Sequence, residues 1–323
     1  MSEQRQTGAA ERFAEQYENI RAEIGREMIG QAEVVEHLLL AVIAGGNVLL
    51  EGVPGLGKTH LVRVLGKVLD LPFSRIQFTP DVLPSDIVGF SLYDKESGQM
   101  VYKPGAILCN LFLADELNRA TSRTQSALLE AMEEGNVTVD GVTHPVPDPF
   151  VVIATQNPVG ASGTQLLPDS QLDRFMVKLS LGYPRPADEL ELLARKQRGN
   201  PLDNVRCIAD RNGLAGIRNA VDNTFVDKKI LDYTIRLSNA TRSHESVLQG
   251  ASPRASLAVV SMAKAAAWVQ GRDYVIPNDV KLIYPATVTH RLILTPEAKA
   301  SGVTAQAIVT ELLEKTAPPV VRA

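Results

Sequence analysis

The stretch Gly52-Val53-Pro54-Gly55-Leu56-Gly57-Lys58-Thr59 leaves this chain few options. It fits G-x-x-x-x-G-K-[ST], the loop that cradles phosphates in nucleoside triphosphatases. Its setting decides the reading. Asn47-Val48-Leu49-Leu50-Glu51 before it is a short apolar run that predicts a buried strand, and His60-Leu61-Val62-Arg63-Val64-Leu65 after it predicts the first turns of a helix. In that context glycines turn backbone N–H groups inward, and the helix N-terminus adds partial positive charge. Gly52 to Thr59, with His60 behind them, are therefore the candidate nucleotide contacts. Lys58 is expected at the outer phosphates and the Thr59 hydroxyl on Mg²⁺.

Composition narrows what surrounds this loop. At 323 residues the chain has room for two domains. A hydrophobic fraction of 45% with only 5% aromatics suggests aliphatic cores of helices and parallel strands. Neither an apolar run near the roughly 20 residues of a membrane span nor the apolar core of a secretory signal is found, so a reduced cytoplasmic setting is expected. Cys109 and Cys207 make no disulfide framework, and the five histidines show no metal-ligand spacing. A net charge of −4 argues against a general nucleic-acid binder.

Residues 1–12 are polar and expected to fray. Phe13, Tyr17, Ile20 and Ile24 predict an amphipathic helix from Arg12 to about Arg26. Ile29-Gly30-Gln31 opens a second helix that Gly45-Gly46 stops; Ile29 and Gly30 either flank a bound base or belong to a plain packing helix. Phe73–Phe78 reads as the second strand. A short helix over 81–88 follows, then two arms, Gly89–Asp94 and Gln99–Lys103, around a turn at Lys95–Gly98. Asp140-Gly141 between Asn136–Val139 and Val142–Val146 predicts a second hairpin with a type I′ turn.

Leu111-Phe112-Leu113-Ala114-Asp115-Glu116 is the second chemical landmark. Its apolar run suits a parallel strand buried on both faces, delivering two carboxylates at the end where α/β sheets place ligands. Asp115 is the candidate Mg²⁺ residue and Glu116 the candidate general base. A helix over 121–134 follows. The strand Phe150–Ala154 then ends near Asn157, a candidate holder of the attacking water or γ-phosphate. Leu172-Asp173-Arg174-Phe175 and a strand over 176–179 complete a five-strand core. Tyr183-Pro184-Arg185-Pro186 reads as a linker, and the remainder reads as helical, with helices over 188–198, 227–242, 256–270 and 278–292. Ser252-Pro253-Arg254 puts a cation at a helix N-terminus, where anions are preferred, and so suggests a phosphate contact.

Together these segments resemble the MoxR-type AAA+ ATPases from Ile29 to Leu292. The resemblance rests on the phosphate loop and on Leu113–Glu116 with Asn118-Arg119-Ala120. Gln125–Met132, Ala154–Pro158, Gln171–Phe175 and Gly250–Ala255 extend it. It implies an α/β P-loop NTPase (AAA+) core, a five-stranded parallel sheet flanked by helices with two inserted β-hairpins, followed by an all-α lid. The expected boundaries are residues 13–183 for the core and 184–323 for the lid.

The family's roles carry over by position. Lys58 and Thr59 match the phosphate-loop pair, Asp115 and Glu116 the metal and base carboxylates, and Asn157 the first sensor. Arg174 matches the arginine finger that enters a neighbour's site, and Arg254 the second sensor. ATP and Mg²⁺ are the implied ligands, and a homo-oligomeric ring, expected to be a hexamer, the implied assembly. A chaperone-like role on client metalloenzymes with a von Willebrand factor A partner is the implied work. Magnesium-chelatase-like subunits and helicase-type motors share the hairpins and stand as alternatives. Gly160–Leu166 departs from the acidic and aromatic-proline pattern expected there.

Overall fold

Five strands form one parallel sheet in the computed structural model, which describes residues 2–157, 167–197 and 201–320. The segment Gly160–Leu166, Pro158 and Arg198 lie outside the described residues. Helix α1 (Ser2–Glu27) starts ahead of the Arg12 that its apolar spacing predicts, and buries Tyr17, Ile20 and Ile24. Helix α2 (Ala32–Ile43) leads to β1 (Val48–Glu51), and α3 (Lys58–Val68) follows the phosphate loop. Next come β2 (Phe73–Gln77), the short α4 (Pro84–Val88), and a hairpin of β3 (Gly89–Asp94) and β4 (Gln99–Pro104). After β5 (Leu111–Asp115) and α5 (Ser122–Glu134), β6 (Asn136–Val139) and β7 (Val142–Pro145) make the second hairpin. Strand β8 (Val151–Gln156), the single turn α6 (Asp169–Leu172) and β9 (Val177–Ser180) close the α/β part.

The sheet order is β2-β5-β8-β1-β9, all parallel, with Leu113 opposite Ile153 and Leu49 opposite Ala154. Every residue of β5 and β8 is buried, as expected of central strands covered on both faces. The edge strand β2 alternates exposed and half-buried residues instead. This order sets the C-terminal ends of β1, β5 and β8 side by side. The phosphate loop, the Asp-Glu pair and Asn157 are thereby gathered from three distant parts of the chain.

Both expected hairpins are present. Asp140 (φ 51°) and Gly141 (φ 78°) take the two left-handed positions of a type I′ turn. The hairpins also touch one another: the Tyr102 ring stacks on His144 with centroids 3.8 Å apart and planes 10° from parallel.

Beyond Pro186 the chain is helical: α7 (Pro186–Lys196), α8 (Arg211–Asp222), α9 (Lys228–Arg242), then, after strand β10 (Val247–Gln249), α10 (Pro253–Val269) and α11 (Pro277–Val288). Strand β11 (Ile293–Leu294), α12 (Pro296–Ala300) and α13 (Ala305–Lys315) end it. To the expected all-α lid the structure adds a two-stranded antiparallel ribbon of β10 and β11, which buries Val247 and Leu294 against α13. The last predicted helix stops at Val288 rather than Leu292, because a 3-10 turn at Thr289–Arg291 redirects the chain.

Candidate active site

The loop after β1 needs glycine where it has it. Gly52 (φ 156°) lies so close to the Leu181 carbonyl that a Cβ would sit 2.9 Å from its oxygen. Gly57 (φ 87°) caps α3 in the left-handed region, closed from behind by Met28. The loop therefore enters α3 with its N–H groups free to face an anion. Lys58 opens that helix. Its Nζ donates to the Gly52 carbonyl, to Val53 O at 3.3 Å and to Asn157 Oδ1 at 2.8 Å. Burial depresses the Lys58 pKa, with Asp115, Glu116 and Glu51 pulling the other way.

At the end of β5, Asp115 Oδ1 accepts from Thr155 Oγ1 at 2.6 Å, and Oδ2 accepts from Thr59 Oγ1 at 3.3 Å. Arg75 on β2 donates to the same Oδ2 through Nη2 (2.7 Å) and Nε (3.1 Å). Burial alone would push the Asp115 carboxyl up; the bonds from Thr155 and Arg75 outweigh it and hold the pKa below the ordinary carboxylate value. Two hard oxygen donors, the Thr59 hydroxyl and an ionised Asp115, suit Mg²⁺.

Glu116 sits in the left-handed region (φ 57°), a strained placement for a non-glycine residue. Its N–H donates to Thr155 Oγ1 at 2.8 Å, so one threonine ties both carboxylate residues to β8. The Glu116 carboxylate accepts from Asn157 Nδ2 (3.1 Å) and Arg119 Nη1 (2.7 Å). Asn157 thus bridges the phosphate-side lysine and the candidate base. Pro54, Gly55, Gly57, Lys58, Thr59, His60, Arg75, Gln77, Asp115, Glu116 and Asn157 line one open cleft.

Ile29 and Gly30 do not line that cleft. Gly30 (φ 74°) lies against Asp188 of α7, and Gln31 donates to the Gly182 carbonyl at 3.1 Å. Arg174 and Arg254 are also outside it. Both meet Glu133 near the end of α5, Arg174 through Nη1 at 3.1 Å and Arg254 through Nη2. Beside them, the buried Arg291 binds the Asp173 carboxylate and several carbonyls, and Ser252, which caps α10, donates to Asp173 at 3.0 Å.

Sequence reasoning did not single out Arg75, Thr155, Glu133 or Arg291. Arg75 was legible only as one polar residue in an alternating edge strand. Thr155 falls inside the Ala154–Pro158 motif, where nothing local marks it as the tie between Asp115 and Glu116.

The chain matches a family model described as the ATPase family associated with various cellular activities over residues 47–177, and an AAA lid domain model over residues 239–312. It is 46% identical to the uncharacterised protein YeaC of Bacillus subtilis across 93% of each chain. It is 41% identical to the chaperone MoxR1 of Mycobacterium tuberculosis across 93% of this chain and 82% of that one. A crystal structure of an inferred ATPase from Cytophaga hutchinsonii superposes with a TM-score of 0.92 at 38% identity, covering 99% of this chain and all of the other. With core and lid both matched, and relatives aligned along almost its whole length, this chain belongs to the MoxR family of AAA+ ATPases.

Proposed function

We propose that the protein hydrolyses ATP as a homo-oligomeric ring, a hexamer, in which each subunit lends Arg174 to its neighbour's cleft. The ring acts as a chaperone-like remodeller that matures client metalloenzymes in the cytoplasm, with a von Willebrand factor A-type partner. Water attacks the γ-phosphate. Glu116, held by Asn157 and Arg119, orients that water and takes its proton. Lys58 and the loop N–H groups neutralise phosphate oxygens. Thr59 and Asp115 would hold Mg²⁺, which supplies further charge neutralisation at the phosphates. Ile29 and Gly30 lie outside the lining of the cleft but follow Met28, which backs its Gly57, and are assigned to flank the base there.

The observation that carries the ring reading is the position of Arg174, outside the cleft of its own chain and beside the lid arginine Arg254. The chaperone reading rests on the relative named as a chaperone. No helix among the described residues is long and apolar enough to cross a membrane. A nucleic-acid motor is disfavoured by the hairpin tips, which carry Asp94, Lys95 and Glu96 in one case and Asp140 in the other.

Specific ATPase activity measured against protein concentration tests the shared site. It should rise steeply as subunits assemble, since a finger in trans gives roughly 10³- to 10⁵-fold in GTPases. Activity independent of concentration would sink the reading. A Glu116→Gln protein should bind ATP, lose hydrolysis by about 10²- to 10⁴-fold, and retain the partner for identification.

A further inference from the structure

Glu133 and Arg254 each sit at a helix end that disfavours their charge, and they sit against each other. Glu133 lies in the last turn of α5, which has no basic residue, although a helix C-terminus favours cations. Arg254 lies in the first turn of α10, which has no acidic residue, although an N-terminus favours anions. Neither placement helps its own helix. A third charge, Arg174, joins from the turn before β9. One carboxylate therefore holds two guanidiniums, one on each side of the seam between core and lid, around a small hollow lined by Met132, Glu133, Arg174 and Arg254.

All three side chains are a third or more open to solvent, with 33% exposure for Arg174, 38% for Glu133 and 43% for Arg254. Exposed pairs of this kind add little to stability. What the carboxylate does instead is geometric. Without it two like charges repel and each long side chain explores its rotamers; with it both are gathered at one point facing outward. The backbones are already fixed, Asp173 by Arg291 and Ser252, and Ser252 at the start of the helix that carries Arg254. Only the side-chain ends remain to be set, and Glu133 sets them.

We propose that Glu133 is a positioning residue of the intersubunit active site: it holds Arg174 and Arg254 of its own chain together as one dication for the neighbour's ATP. The pairing is weak enough to yield when phosphate oxygens, bearing more charge, enter the hollow. This rests on the reading that Arg174 acts in trans.

Mixed rings test both and keep them apart. Arg174→Ala subunits keep the phosphate loop but lack the finger; Lys58→Ala subunits keep the finger but lack the loop. Mixed together they should hydrolyse ATP at junctions where the second lends Arg174 to the first. Adding Glu133→Gln to the finger-donating subunit should lower that activity about tenfold or more, in line with the roughly 10²-fold cost of misplacing a group by 1 Å. Adding it to the nucleotide-binding subunit should leave the activity within about twofold, because that chain's finger is already gone. Glu133→Asp in the donor should restore part of the rate, which a merely structural loss would not permit. Size-exclusion profiles and melting temperatures should match the parents. If the mixture is inactive, the trans reading fails. If it is active and Glu133→Gln acts equally in either subunit, or in neither, the role of Glu133 is overturned while the trans reading stands.

Discussion

Arg291 donates its Nε–H to the Asp173 carboxylate at 2.8 Å, one residue ahead of Arg174, and its Nη2 donates to the Asp173 and Phe175 carbonyls on either side of that residue. A lid side chain that is only 2% exposed thus fixes the backbone carrying the expected arginine finger.

Arg291→Ala should consequently lower unfolding free energy by about 3 kcal/mol, the lower end for breaking a buried ion pair, since Asp173 keeps some water. It should also reduce ATPase activity. Arg291→Lys should rescue little, because one ammonium cannot span carbonyls and carboxylate as the planar fork does. Urea titration and steady-state rates measure the two effects.

His290, next in line, predicts a pH dependence. Its Nε2 lies 3.2 Å from the Phe175 carbonyl, and burial, with the Arg291 charge adding to it, drives the imidazole pKa well below 6.5. The folded protein keeps this ring neutral where the unfolded chain would protonate it. Stability from this site is therefore present above about pH 6.5 and lost as pH falls below it. The loss should approach about 1.4 kcal/mol per pH unit, one proton's worth. Melts of His290→Gln between pH 7 and 5 should show a flatter profile than wild type. Parallel profiles would refute the assignment.

Arg75 places a permanent cation on the carboxylate oxygen that also meets Thr59. A positive charge there opposes a metal ion at short range. Arg75→Ala should lower the Mg²⁺ concentration needed for half-maximal hydrolysis several-fold, whereas Arg75→Lys should not. A raised Mg²⁺ requirement in the alanine variant would count against this electrostatic account.

The Tyr102–His144 stack joins the two hairpins outside the lining of the cleft. His144→Ala removes a contact worth about 0.5–1.5 kcal/mol. Basal ATPase should stay within about twofold, while amide exchange across β6 and β7 accelerates. Unchanged exchange would mean that the hairpins are held by other contacts.

Local patterns in the sequence carried the strands, because buried parallel strands leave unbroken apolar runs such as Leu111–Ala114, and the second hairpin, because Asp140-Gly141 has few other uses. Helix α8 was not legible. Gly213 and Gly216 interrupt its pattern, and the reason lies in tertiary structure: a Cβ on Gly216 would come 2.9 Å from the Phe13 ring of α1. The core of the site was legible because its residues fall in short motifs. Its supporting partners were not, since Arg75 meets Asp115 across 40 positions and Arg291 meets Asp173 across 118. Ribbon β10–β11 escaped for a similar reason, being two brief strands joined across the intervening helices α10 and α11.

Helix α1 packs on α3 of the core, while its Tyr17 meets the Trp268 ring of the lid edge-on at 6.4 Å and its Glu23 pairs with Arg206 at 2.9 Å. Residues from both halves, Leu38 and Val48 with Tyr233 and Ala266, bury in one continuous apolar cluster. The chain near Tyr183–Pro186 is therefore not what keeps the lid in place. A single cut there would leave two fragments that stay associated and copurify, because α1 acts as a splint across the break.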